Sequence, residues 1–215
     1  VRSGQHTIEP DIMTEHAPSY YAATAHPHAL RPALSGDARV DVCVIGGGFT
    51  GLSAALTLAQ AGRSVRLIEA KRIGWGASGR NGGQLHSGQR RDQATLEAWF
   101  GIETAHRLWD LAEAAKHHVK DLIVRHQIAC DWRDGLIIAD HKERYVAPER
   151  AYVEKLRRDY NYTQVRFLER DELAAAIGTG VYHGGFLDTG AGHLHPLNFA
   201  LGLARAAEAA GAVLH

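Results

Sequence analysis

Residues 40–45, Val-Asp-Val-Cys-Val-Ile, form a short run dominated by β-branched apolar side chains. That pattern predicts a buried parallel strand. Three glycines, a Phe, a Thr and a fourth glycine end it at positions 46–51. Residues 52–61 are rich in Ala and Leu and predict a helix, with Gly62 standing where a C-terminal glycine cap belongs. A second β-rich run at 65–69 predicts another strand, so residues 40–69 read as one β-turn-α-β unit.

The pattern then changes. Residues 74–88 are dense in glycine and polar, and predict a functional loop with no regular element. Between 92 and 127, Leu108, Leu111, Ala115, Val119 and Leu122 recur at helical spacing and predict core-facing helices broken at Gly101, with His117 and His118 facing solvent. Asp134-Gly135, within 131–138, reads as a turn between apolar runs and predicts a hairpin. Further expectations are a helix at 148–160, a strand at 165–168, a helix at 171–177, a strand at 182–187, a helix at 196–210 and a strand from 211. The fold class is therefore α/β, α+β overall, with antiparallel strands after a parallel unit.

Composition narrows the function classes. The chain has 215 residues, 24 Lys+Arg against 24 Asp+Glu and 45% hydrophobic residues, an ordinary globular balance. Zero net charge supplies no electrostatic reason for a nucleic-acid or anionic-membrane partner. No run approaches the roughly 20 apolar residues of a membrane span, and the first thirty residues lack the apolar stretch of a signal peptide. The cytoplasm is the expected compartment. Cys43 and Cys130 are too far apart for a CxxC motif and read as reduced core thiols. Four of the six prolines fall within residues 1–39, which read as an extended arm, and Met13, the single methionine, reads as the natural start.

Chemistry concentrates in two glycine-rich stretches. Gly46-x-Gly48-x-x-Gly51, between a predicted strand and a predicted helix, is a dinucleotide-binding fingerprint. Gly46 makes the tight turn, Gly48 lets backbone approach a pyrophosphate, and Gly51 lets helix and strand pack closely. The helix N-terminus, with Phe49 and Thr50, presents free amides and a positive dipole end to the phosphates. Glu69 follows Gly48 at the expected interval of about 20 residues and is positioned to bind ribose hydroxyls, which disfavours the 2′-phosphate of NADP. The fingerprint does not separate NAD from FAD. In the second stretch Gly76, Gly79, Gly82 and Gly83 permit close backbone approach, while Ser78, Arg80 and Asn81 offer donors for phosphate or ribityl oxygens. His183, His193 and His195 lack the acid or cysteine that would complete a familiar zinc spacing, so no metal site is expected.

The stretch Gly74-Trp75-Gly76-Ala77-Ser78-Gly79-Arg80-Asn81-Gly82-Gly83-Gln84 resembles the segment after the second strand in glutathione-reductase-type flavoproteins of the D-amino-acid oxidase superfamily. Within that superfamily the chain is most similar to the amine-oxidising group that includes gamma-glutamylputrescine oxidase. Ser19 to Ala23, Asp41 to Gly51, Gly76 to Gln84 and Gly192 to Leu197 carry the likeness in order and spacing. The resemblance implies a Rossmann FAD-binding domain with part of an antiparallel-sheet substrate domain. It divides the chain into an arm (1–39), an FAD-binding portion with following helices (40–130), part of a substrate domain (131–195) and a returning helix and strand (196–215).

It also implies that Ala70, Lys71 and Arg72 continue the adenosine site, that Ala77 belongs to the loop beside the pyrophosphate and flavin, and that Gln84 and Leu85 lie near the isoalloxazine edge. The implied reaction is oxidation of a primary or secondary amine to an imine, by hydride transfer to flavin N5. Oxygen or another acceptor reoxidises the flavin. A D-amino-acid or glycine-type substrate is the alternative, as is an inactive N-terminal fragment. His86 and His195 are the candidates for orienting an amine or taking a proton, and no catalytic residue is assigned. Members of the group are about twice this length, so a C-terminal half is an expected partner.

Overall fold

The computed structural model describes residues 15–215; the expected start at Met13 lies outside the described residues. In chain order the elements are α1 (Tyr20–Ala23), β1 (Val42–Ile45), α2 (Phe49–Gln60), β2 (Val65–Ile68), β3 (Gln84–Leu85), α3 (Gln93–Phe100), α4 (Ile102–Arg125), β4 (Arg133–Ala139), α5 (Val146–Asp159), β5 (Val165–Leu168), α6 (Arg170–Ile177), β6 (Gly185–His193), α7 (Pro196–Ala209) and β7 (Val213–Leu214). They group into two compact units. One comprises the described residues up to Gly82 with Ile123–Cys130 and His195–His215; the other comprises Gly83–Leu122 and Asp131–Leu194. Residues 83–122, expected within the FAD-binding portion (40–130), thus cluster with the residues expected in the substrate domain.

The first unit is a parallel sheet in the order β1-β2-β7. Val44, Leu67 and Leu214 share one register row, and α2 and α7 pack on that side. Almost every residue of α7 is buried. The strand at 40–45 was expected to be buried on both faces, but Ile45 is 88% exposed and Cys43 is also exposed. Alternation explains it: successive side chains point to opposite faces, and the helices cover only one of them. Cys130 alone is a buried thiol. Helix α2 begins three residues earlier than the pattern predicted, because the apolar run marks its buried stripe and not its first turn.

In the second unit β6 pairs antiparallel with β3, β4 and β5. The predicted hairpin does not form. Gly135 takes φ +90° and β4 runs on through it as one continuous strand; the register shifts there because Asp134 and Leu136 pair with Gly192 and Asp188, so the extra residues bulge from β6 opposite the Asp-Gly. Strand β6 extends to His193, six residues beyond the expected end. The 74–88 loop is also more ordered than predicted: Ala77–Gly79 form a 3-10 turn and Gln84–Leu85 a strand. In α4 the buried positions are Ala105, Trp109, Lys116 and Leu122, while Leu111 and Ala115 are exposed. The apolar stripe is rotated because Trp109 anchors an aromatic cluster with Tyr160 and Tyr162. His117 and His118 are exposed, as expected. No helix among the described residues is long and apolar enough to cross a membrane.

Candidate functional site

In the first unit the fingerprint forms a backbone cradle. Gly46 follows β1 with φ +101°, and its amide donates to the Ile68 carbonyl at 2.8 Å, tying the turn to β2. A Cβ on Gly51 would sit 2.0 Å from the Gly46 carbonyl oxygen, so only glycine lets the helix start this close to the strand. Gly48 is the N-cap of α2 and supplies no capping side chain. Ser78 supplies it instead, its Oγ accepting from the Phe49 amide at 3.0 Å. The two glycine-rich stretches are joined directly, since the Gly74 amide donates to the Gly47 carbonyl at 2.9 Å.

Glu69 stands immediately after β2, as predicted. Its Oε2 accepts from the Gly47 amide at 2.6 Å and its Oε1 from the Lys71 amide at 2.9 Å. A carboxylate offers about four lone-pair sites, so acceptor capacity for a ribose hydroxyl remains. Glu69 lines a small cavity with His28, Arg31, Lys71, Arg72 and His215, a basic surround suited to a phosphorylated ligand. Arg72 forms an ion pair with Glu15. Burial and the neighbouring charges of His28 and Arg72 hold His16 below the ordinary histidine range.

The remaining loop residues have local jobs. Arg80 donates from Nε to the Trp75 carbonyl at 2.7 Å and stacks over the Trp75 ring at 4.3 Å. Asn81 donates to the Ala77 and Ser78 carbonyls, holding the 3-10 turn. Thr50, Ala70, Gly76, Ala77 and Gly82 are exposed, and the Phe49 ring meets Phe199 edge-on at 5.4 Å. Cradle, helix N-terminus, acid and basic surround fit the adenosine diphosphate part of a dinucleotide.

His195 caps α7. Its Nδ1 accepts from the Asn198 amide at 3.1 Å, which fixes the proton on Nε2, and that nitrogen meets Thr24 Oγ1 at 3.0 Å. The Thr24 hydroxyl proton goes to the Tyr20 carbonyl at 2.6 Å. With both ring nitrogens engaged and 5% exposure, His195 is built as a cap and not as a base.

In the second unit Gln84 is exposed and Leu85 half-buried, paired with His193 and Gly192, and Gly83 is buried with its carbonyl accepting from Leu194 at 3.0 Å. His86 is exposed. His183 lies two residues before the nine-residue strand β6 and His193 ends it, roughly 30 Å apart at about 3.3 Å per residue, and they cannot share a metal. Among the described residues no group of three or more His, Cys, Asp and Glu is placed to hold one.

A buried polar network beneath Ser87 escaped the sequence reading. Lys116, 2% exposed, donates to Ser87 Oγ at 2.6 Å and pairs with Glu113 Oε2 at 2.7 Å. Ser87 meets the Tyr162 hydroxyl at 2.7 Å, and Tyr162 donates to Asp188 Oδ1 at 2.5 Å. Burial, and then acceptance by Asp188, pushes the Tyr162 phenol up. The available signal was spacing: Lys116 lies seven residues after Trp109, on the same helix face, with Glu113 one turn before it.

Residues 41–215 match the family model described as FAD dependent oxidoreductase. The chain belongs to this family. It is 42% identical over 197 residues to the probable oxidoreductase OrdL of Rhizobium meliloti, covering 92% of this chain and 46% of that one. To the gamma-glutamylputrescine oxidoreductase of Escherichia coli it is 41% identical over 194 residues, covering 90% and 45%. The chain thus spans about half the length of these relatives. In fold it matches L-amino acid deaminase from Proteus vulgaris (TM-score 0.68, 20% identity, 94% of this chain and 50% of that one). Glycine oxidase from Geobacillus kaustophilus matches with a TM-score of 0.65 at 23% identity, over 82% and 46%. Membership settles the choice the fingerprint left open: the dinucleotide of this family is FAD.

Proposed function

We propose that this chain is the FAD-holding part of an oxidoreductase that converts a primary or secondary amine of the gamma-glutamylputrescine type to an imine, which water then hydrolyses to an aldehyde. The observation that carries the reading is the Gly46–Gly51 cradle, where the backbone contact at Gly51 leaves no room for a side chain. The similarity to the gamma-glutamylputrescine oxidoreductase of Escherichia coli supports the amine class.

Gly48, Thr50 and Gly51 would offer backbone amides to the pyrophosphate at the α2 N-terminus, with Gly46 shaping the turn and Phe49, whose amide goes to Ser78, standing beside them. Glu69, with Ala70, Lys71 and Arg72, would take the adenosine side, its carboxylate accepting from ribose hydroxyls. Gly76, Ala77, Ser78, Arg80, Asn81, Gly82 and Gly83 would line the pyrophosphate and ribityl stretch, and Gln84 and Leu85 the isoalloxazine edge. Bound FAD supplies the two-electron oxidation of a C–H bond beside nitrogen, which no side chain performs. The chain's own contribution is position: a neutral amine needs alignment, and a misplacement of about 1 Å costs about a hundredfold in rate. His86 is the exposed histidine able to orient the amine or accept its proton.

The test is the visible spectrum of the purified protein with the mass of any released cofactor, followed by bleaching of the flavin bands on adding gamma-glutamylputrescine. Stoichiometric FAD that bleaches with the amine, and Gly48→Val protein that holds none, are the expected results. A colourless protein, or flavin retained in Gly48→Val, overturns the assignment. Bleaching with glycine or a D-amino acid but not with the amine would move the substrate to the alternative class.

A further inference from the structure

Lysine is among the residues least often fully buried, and the oxidation proposed above gives Lys116 no chemical task. Its surroundings account for every donor. The single Tyr162 proton goes to Asp188, whose Oδ1 also takes the Gly190 and Ala191 amides at 2.9 and 3.1 Å. The Ser87 proton must therefore go to the Tyr162 oxygen, which leaves the Ser87 lone pairs to accept from Lys116. Nζ keeps two protons for Glu113 and, at 3.3 Å, for the Tyr162 oxygen. The opposite oxygen of Glu113 accepts from the Gly88 amide at 3.4 Å. One buried ion pair thus grips two consecutive residues, Ser87 and Gly88.

The other end of the same short segment is tied to the same unit's sheet. The Gly83 carbonyl accepts from Leu194, and Gln84–Leu85 pair with His193 and Gly192. Residues 83–88 are a strap held at both ends, by backbone pairing at one and by a desolvated charge at the other. Charge-assisted hydrogen bonds are shorter and roughly twice as strong as neutral ones, so the Lys116 end is set firmly even though only a serine hydroxyl reaches it.

We infer that Lys116 is a positioning residue that holds the Gly83–Gly88 strap, and with it Gln84, Leu85 and His86, in the geometry the oxidation needs. The inference rests on the proposed function, which puts Gln84 and Leu85 at the flavin edge. Lys116 touches neither substrate nor cofactor in this reading; it acts through Ser87.

The experiment uses the FAD-loaded protein with Lys116→Met, Ser87→Ala and Tyr162→Phe. Three readouts are taken: flavin content with the shape of its visible bands, kcat and KM for gamma-glutamylputrescine, and hydrogen exchange of residues 84–88. Lys116→Met is expected to keep its flavin, to alter the resolution of the visible bands and to exchange faster in the strap alone. Its kcat is expected to fall about tenfold to a hundredfold with KM little changed. Ser87→Ala, which removes one hydroxyl and leaves the Lys116–Glu113 pair in place, should change the same quantities in the same direction, and the Lys116→Met/Ser87→Ala double variant should be no worse than Lys116→Met. Wild-type kcat, bands and strap exchange in both Lys116→Met and Ser87→Ala overturn the inference. So does a Lys116→Met defect that only follows flavin loss and unfolding, with Ser87→Ala silent. Should the wild-type protein bind no flavin, the proposed function fails, and strap exchange in the variants still decides whether Lys116 holds the segment.

Discussion

Around Gly46–Gly51 the chain offers backbone with side chains removed, whereas around Lys116 it gathers side chains and removes water. In the first region, where the FAD pyrophosphate is proposed to bind, the α2 N-terminus has no capping side chain of its own and borrows one hydroxyl from Ser78. In the second nothing is missing, since Lys116, Ser87, Tyr162 and Asp188 satisfy one another. A binding surface keeps unspent hydrogen-bonding capacity, and a positioning device spends all of it. The two regions should therefore answer mutation differently.

The contrast is sharpest at Gly51. Replacing it with Val forces a Cβ to within 2.0 Å of the Gly46 carbonyl oxygen, and overpacking of this kind costs about 3 kcal/mol. Gly51→Val protein is expected to lose bound flavin and to unfold at lower urea; normal flavin content would show that the cradle yields. Next comes Lys116→Met, which leaves the Glu113 carboxylate without its cation. Breaking a buried pair costs about 3 kcal/mol, and because the Glu113 side chain retains 16% exposure the effect should fall slightly below that of Gly51→Val. Adding Glu113→Gln to Lys116→Met should recover part of the loss in a double-mutant cycle. Simple additivity would dissolve the idea of a closed network.

His195→Ala removes the α7 cap and should cost about 1 kcal/mol in thermal unfolding, with flavin turnover spared. Loss of turnover without loss of stability would return His195 to the chemistry. The smallest effect is at Asp140, whose carboxyl is buried with one oxygen unpartnered and is held above the usual carboxylate range by desolvation. The folded chain keeps this proton at a pH where the unfolded chain has lost it. Its contribution is therefore fully present below the unfolded pKa and declines as pH rises through the folded value. Asp140→Asn should flatten that part of the stability profile, and an unchanged slope would show that Asp140 does not carry it.

The glycine cradle was legible because its constraints are local. A strand, three glycines at fixed spacing, a helix and an acid some 20 residues on each follow from nearest-neighbour sterics, and Glu69 fell where the interval placed it. The second unit was read less well. Asp134-Gly135 carries the same local signal in a hairpin turn and inside a strand, and the strand won because β6 supplies a partner on both sides of it, with the bulge on β6. The Gly190-Ala191-Gly192 stretch has poor strand propensity. It is strand nonetheless, and a Cβ on Gly190 would lie 2.2 Å from the Tyr162 hydroxyl.

Patterning along the chain was thus enough for the parallel β-α-β start, the dinucleotide cradle and the family to which the residues belong. Burial of Lys116, exposure of Ile45 and the strap at Gly83–Gly88 depended on which face of each element met a neighbour. A charge can be buried only where distant residues bring Glu113, Ser87 and Tyr162 within hydrogen-bond reach, and that coincidence lies in packing, not in spacing.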